Sequence, residues 1–171
     1  LQINSPGGSP VQAERIYAEV MRLKAEHPDK KVIAVIEDMG ASAAYYIASA
    51  ADEIVASRAS LVGSIGVIVN GFGAVDLIEK LGIERRLIVA GDNKAMLDPF
   101  SPRDEAQEAY MQRMVDQIHK QFIDAVKAGR GDRLAQRADI FSGLVWNGEE
   151  AKELGLVDHI GSMEYTLRDL L

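Results

Sequence analysis

The run Lys31-Val32-Ile33-Ala34-Val35-Ile36 constrains this chain most. It is short, apolar and rich in β-branched residues, which suggests a buried strand. A helix is expected before it. Ser9-Pro10-Val11-Gln12 is a start signal: Ser9 can cap, Pro10 suits the first helical position, and Gln12 completes a capping box. That helix should reach about Glu26, with Ala13, Ile16, Val20 and Leu23 facing inward and Pro28 beyond its end. After the strand, Gly40 punctuates the chain and residues 41–51 read as a helix of small residues.

The alternation continues. Strands are expected at Glu53–Ala56, Val67–Val69 and Arg85–Val89, with a helix from Phe72 to Leu81 and a loop over 90–101. Ser101-Pro102-Arg103-Asp104 starts a long helix whose apolar stripe (Ala106, Tyr110, Met114, Ile118, Phe122, Val126) lasts until Gly129. At 1.5 Å per residue it is about 40 Å long, more than a compact domain of this size needs, so packing on a neighbouring subunit is expected. The tail holds a turn at Gly143, a short helix over Gly148–Leu154, a strand over Leu156–Ile160 and a last helix after Gly161. Such alternation argues for an α/β fold with a largely parallel sheet. No composition shift divides residues 1–171, so a single domain is expected.

Composition narrows the function. A chain of 171 residues buries about 70% of its unfolded surface and folds without staples. It has no cysteine, which excludes disulfides, thiolate zinc sites and a Cys nucleophile. Lys and Arg number 19 against 26 Asp and Glu, a net charge of −7, which disfavours nucleic acid as a partner. The apolar runs fall far short of the ~20 residues of a membrane span, so the chain as given is expected to be soluble. Leu1-Gln2-Ile3-Asn4 reads as the end of a strand, and an amino-terminal portion is expected to precede it.

Three places could carry chemistry. In Met39-Gly40-Ala41-Ser42-Ala43-Ala44 a buried strand ends and Ser42 falls at the mouth of a helix. That position suits a nucleophile beside unpaired backbone N–H groups, or simply a helix cap. Asn4-Ser5-Pro6-Gly7-Gly8 could cradle an anionic oxygen with backbone N–H groups, or be a plain turn. A serine nucleophile needs a base. Of the three histidines, His27 ends a charged helix, His119 lies beside the apolar stripe of the long helix, and His159 is in a strand–turn, where it could complete a Ser…His order. Lys94, in Gly91-Asp92-Asn93-Lys94-Ala95-Met96-Leu97, is the other candidate. A lysine at its ordinary pKa of about 10.4 is protonated, so this role requires desolvation by an apolar, enclosed loop.

Together these segments resemble the S49 family of serine peptidases, of the signal peptide peptidase type. The resemblance rests on Ile3–Gly8, Ala41–Ala48, Val62-Gly63-Ser64-Ile65-Gly66-Val67, Ala90–Lys94 with Asp98-Pro99-Phe100, and Gly148–Ala151 through Gly155–Asp158. It implies a ClpP/crotonase-like fold, a repeated ββα spiral with a largely parallel sheet and a long helix in the carboxyl-terminal half. By the same resemblance Ser42 is the nucleophile, Lys94 the general base, and Ser64 the residue that holds the lysine. The N–H groups of Gly8, or Gly7, and of Ala43 form the oxyanion hole. No metal or organic cofactor is implied. Implied partners are hydrophobic peptides such as remnant signal peptides and further copies of the chain. The intact protein would associate with the bacterial inner membrane through a preceding anchor. The chain departs from the family in carrying Ala43 and Ala44 where two glycines usually follow the serine; phage capsid-processing S49 peptidases share the Ser-Ala-Ala form. Competing readings are a crotonase-type acyl-CoA enzyme and a catalytically silent scaffold for hydrophobic segments.

Overall fold

A computed structural model describes residues 1–169. Its elements are β1 (Gln2–Ser5), α1 (Pro10–Glu26), β2 (Ile33–Ala41), α2 (Ala43–Ala48), β3 (Glu53–Ala56), β4 (Leu61–Gly63), α3 (Val75–Lys80), α4 (Glu105–Arg130), β5 (Val145–Asn147), α5 (Gly148–Glu153), β6 (His159–Ile160) and α6 (Met163–Asp169). They fall into two compact units, one made of residues 1–67 with the chain from Ile118 onward, the other of Ile68–Gln117.

The first unit is built on a six-stranded sheet in the order β5-β4-β2-β3-β6, with β1 also paired to β2. Every pairing is parallel except β4 with β5. The apolar run of β2 is continuous because both its faces are covered. Ala34 and Ile36 join the main core with Ala13 of α1, Tyr45 and Tyr46 of α2, and Phe122 and Val126 of α4. Ile33 and Val35 point the other way, with Val55, against Met163 and Tyr165. Tyr46 stacks on Phe122 at 4.9 Å and meets Tyr17 edge-on at 5.3 Å, and the Tyr17 hydroxyl donates to the Ala125 carbonyl. Helices α1, α2 and α4 are thereby locked together on one face.

β2 serves three strands. β1 lies along one edge, and the other edge is shared: β3 takes Ile33–Ile36 and β4 takes Met39–Ala41. Between these spans the ladder with β1 slips, since Ile3 faces Ile36 but Ser5 faces Gly40. Side chains take up the orphaned backbone groups. The Met39 N–H donates to Asn4 Oδ1 at 3.2 Å, and the Ser60 hydroxyl, 1% exposed, donates to the Glu37 carbonyl.

The second unit contains α3, the turns of 91–100 and the first half of α4. Asp98 organises it, receiving Arg85 through two nitrogens and the Ser101 hydroxyl. Asp104 caps α4 by accepting the N–H groups of Ala106 and Gln107.

Several expectations need correction. The strands expected at 67–69 and 85–89 do not form; Ile88 is 98% exposed, and both runs lack sheet neighbours among the described residues. The sheet uses Leu61–Gly63 and Val145–Asn147 instead. The strand expected over 156–160 is only His159–Ile160, because the Leu156 and Val157 N–H groups both bond the Ala151 carbonyl at the end of α5. On α1 only Ala13 and Val20 of the expected stripe are buried, while Ile16 and Leu23 are exposed. On α4 the stripe is buried at Phe122 and Val126, whereas Tyr110 and Met114 are exposed. The largely parallel sheet is nevertheless present, every pairing but β4 with β5 being parallel, and the long helix is in place.

At the carboxyl end of α4 the Arg130 side chain is fully buried and forks onto Asp158, both contacts at 2.8 Å, while its Nε donates to the Gly155 carbonyl. Asp158 also accepts the Ile54 N–H. Burial pushes the Asp158 carboxyl up, but Arg130, the Ile54 N–H and Arg133 outweigh it and hold it below the usual carboxylate range. Removing it leaves a buried guanidinium unpaired, so Asp158→Ala should cost about 3–5 kcal/mol in urea melts. Because the folded-state value is depressed, this contribution is complete above the unfolded carboxyl pKa of about 3.9 and is lost as pH falls through the lower folded value. Melts across that range should show a shallower acid limb for Asp158→Asn than for wild type.

Candidate active site

Parallel strands end on the same side of a sheet, and here the carboxyl ends of β1, β2 and β4 bring three turns together. Ser42 follows Ala41, which pairs with Gly63 of β4. The Ser42 N–H donates to the Gly63 carbonyl at 2.8 Å, and its own carbonyl accepts the Tyr46 N–H at 3.0 Å, opening α2. Its backbone sits at φ 53°, ψ −127°, and its side chain caps nothing. A capping serine would be extended and would bond an N–H of the first turn. Ser42 does neither. It occupies a strained strand-to-helix turn that lifts its hydroxyl out of the ladder, at a cost of about 1–3 kcal/mol.

The turn after β1 packs directly on this residue. Gly7 has φ +125°, and a Cβ there would lie 2.7 Å from Ser42 Cβ and 3.2 Å from Oγ. The Gly7 N–H is already used, donating to Ser5 Oγ at 3.2 Å. The N–H groups of Gly8 and Ala43 reach no acceptor among the described residues. Ala43 is the first residue of α2, where such orphan donors are inherent. A groove of about 410 Å³ opens beside them, lined by Ile3, Gly8, Gln12, Ile16, Ala43 and Ile47 among others. Ile16, expected in the core, faces this groove.

Ser64 follows β4 and is the second strained serine, at φ 50°. Its N–H donates to the Leu144 carbonyl and its carbonyl accepts the Gly66 N–H, both at 2.8 Å. Its hydroxyl has no hydrogen-bond partner among the described residues. Ser42, Ser64, Gly7, Gly8 and Ala43 thus all belong to the first unit. Lys94 belongs to the second, on a turn where its N–H donates to the Gly91 carbonyl. Its side chain is exposed, so the enclosing apolar loop expected around it is not supplied by its own segment.

The histidines separate cleanly. His159 pairs with Glu53 at 3.2 Å and stands level with Val55, hence with Val35 of β2. Seven residues of strand, about 23 Å, lie between that level and Ser42, so His159 is no base for it. His27 ends α1 in solvent. His119 bonds the Ile65 carbonyl. Among the described residues no cluster of three or more His, Asp or Glu could hold a metal ion.

A family model described as Peptidase family S49 matches residues 24–170. The chain belongs to peptidase family S49. Protease 4 of Salmonella typhi is 35% identical over 170 residues, 96% of this chain and 26% of its own length. The chloroplastic serine protease SPPA of Arabidopsis thaliana is 32% identical over 164 residues, 95% of this chain and 24% of its own. A Brucella melitensis protein named Na(+)/H(+) antiporter NhaA is 47% identical over 168 residues, 98% of this chain and 23% of its own. The S49 chain thus spans about a quarter of each of these three relatives.

Two outcomes follow from the geometry around Ser42. Ser42→Gly should melt above Ser42→Ala by about 1 kcal/mol or more, because only glycine occupies this backbone region without strain; urea melts of the two variants decide it. Gly7→Ala forces a methyl into Ser42, so its labelling rate with a serine-directed phosphonate should fall at least about 100-fold against wild type.

Proposed function

We propose that this chain is the catalytic part of a serine endopeptidase that works through a Ser42/Lys94 dyad, on a ClpP/crotonase-like fold. The observation that carries the reading is the strained Ser42, near two N–H groups that have no acceptor among the described residues. Neutral Lys94 Nζ takes the Ser42 hydroxyl proton as Oγ bonds to the peptide carbonyl carbon. The resulting oxyanion accepts the Gly8 and Ala43 N–H groups, Gly7 being committed to Ser5. The C–N bond then breaks, and the proton on Lys94 passes to the leaving amine. Water attacks the acyl-enzyme, gives one proton to Lys94 and frees the carboxylic acid, while Ser42 recovers its hydrogen from the lysine. Ser64 holds the lysine toward Ser42. Because the Lys94 segment leaves its amine exposed, exclusion of water falls to the bound peptide or to a second copy of the chain.

Substrates are hydrophobic peptides. The groove beside Gly8 and Ala43 is lined by Ile3, Ile16 and Ile47, and among the described residues the outer edge of β1 carries no strand, so an extended chain can pair with it. Remnant signal peptides have this chemistry, and two of the relatives are named as proteases. Among the described residues no helix is long and apolar enough to cross a membrane. Membrane attachment of the intact protein through a further segment is part of the same proposal.

Cleavage of a fluorogenic hydrophobic peptide by the intact protein tests the reading. Ser42→Ala and Lys94→Ala should each lower kcat by at least about 10³-fold. Full activity in Lys94→Ala would overturn the dyad, and acyl-CoA turnover without peptide cleavage would favour the crotonase-type alternative.

A further inference from the structure

The turn that carries Ser64 is held at three points. Two are backbone bonds, from the Ser64 N–H to the Leu144 carbonyl and from the Gly66 N–H to the Ser64 carbonyl. The third comes from α4, where half-buried His119 places Nε2 2.9 Å from the carbonyl oxygen of Ile65, a residue with no exposed surface. A carbonyl only accepts, so Nε2 must carry a proton, which both the neutral Nε2–H tautomer and the imidazolium provide. No other donor to this carbonyl is found among the described residues. One helical turn further on, Phe122 of the same helix stacks on Tyr46 of α2, the helix that Ser42 opens. α4 therefore touches the support of both strained serines, through His119 at one and Phe122 at the other.

We propose that His119 is a positioning residue: by donating from Nε2 to the Ile65 carbonyl it fixes the Ser64 turn and so the hydroxyl that orients the base. This rests on the role of Ser64 proposed above. A backbone at φ 50° is not one that serine keeps unaided. Loss of the bond leaves a buried carbonyl without a partner and lets the turn relax, moving the Ser64 hydroxyl without touching Ser42 or the oxyanion donors.

The test uses the intact protein, a fluorogenic hydrophobic peptide, and rates normalised to the sites titrated by a serine-directed phosphonate. His119→Phe keeps the volume and removes the donor. Its kcat per titrated site should fall about 10–100-fold with KM changed less than about twofold. His119→Gln, whose amide can restore a donor, should recover kcat to within about threefold of wild type, and in a Ser64→Ala background His119→Phe should bring no further loss. A purely structural role would instead lower the number of titrated sites, leave kcat per site intact and act additively with Ser64→Ala. Either the intact kcat or the additivity overturns the inference while leaving the dyad standing. Nitrogen NMR of the His119 ring adds a readout independent of turnover: a protonated, slowly exchanging Nε2 is expected, and an unprotonated one overturns the inference alone. Unimpaired cleavage by Ser42→Ala or Lys94→Ala would overturn the dyad itself, and the inference with it.

Discussion

The architecture depends on one break in one ladder. A regular β2 would pair with a single strand along each edge. Instead, the slip between Ile36 and Gly40 ends the pairing with β3 and lets β4 begin at Met39. Such a slip strands backbone donors and acceptors, which is tolerable only if side chains replace the lost partners. Asn4 and Ser60 do this from opposite edges. Ser60 also accepts the Ser57 N–H, so one buried hydroxyl closes the β3–β4 turn and satisfies the kinked strand at once. Asn4 additionally donates to Asp38, fixing the amide so that its oxygen faces the Met39 N–H.

Everything at the site follows from that change of partner. Because β4 is parallel to β2 and joins it at the carboxyl end, Gly63 and Ser64 arrive beside Ala41 and Ser42 rather than a strand's length away. Because β1 resumes pairing at Gly40, the Gly7-Gly8 turn arrives there too. Segments separated by tens of residues thereby converge at one sheet end, the usual place for ligands in parallel sheets. The Arg130–Asp158 pair performs the corresponding service at the other end of the core, tying α4 to the loop before β6 and, through the Ile54 N–H, to β3.

Features with a local signal were legible in the sequence. The start of α1 at Pro10, the β-branched run of β2, the Glu53–Ala56 strand and the Gly148 helix all stand where local chemistry places them, although the Ser9 side chain makes no cap bond and the capping box expected with Gln12 does not form. Ser42 was legible because a strand, a glycine and a small-residue helix meet there. Features decided by distant partners were not. Leu61–Gly63 is too short for any periodicity, and Val145–Asn147 exists only because β4 is there to pair with it. Conversely, Val67–Val69 and Arg85–Val89 read as strands but have no neighbouring strand among the described residues. Ile16 has the helical spacing of a core residue and lines a groove instead. Ser60 and His119 reach backbone atoms 23 and 54 residues away through hydrogen bonds that no spacing rule encodes.

Strain explains why the two serines differ from ordinary turn residues. Glycine would be the cheaper choice at φ 53° and φ 50°, and the chain uses glycine freely nearby, at Gly7 and Gly63. At Gly7 a side chain would collide with Ser42, so backbone freedom and close approach both demand glycine. At Ser42 and Ser64 the hydroxyl is retained although the backbone disfavours it. Each strained residue is held by a bond from its own N–H, to the Gly63 and Leu144 carbonyls respectively, and neither hydroxyl helps to hold its turn. A hydroxyl kept at an energetic cost of about 1–3 kcal/mol, and not used for folding, is free to act on something else. That is the sense in which the backbone, together with an uncommitted hydroxyl that the similarly strained Leu97 lacks, supports the roles proposed for these two serines.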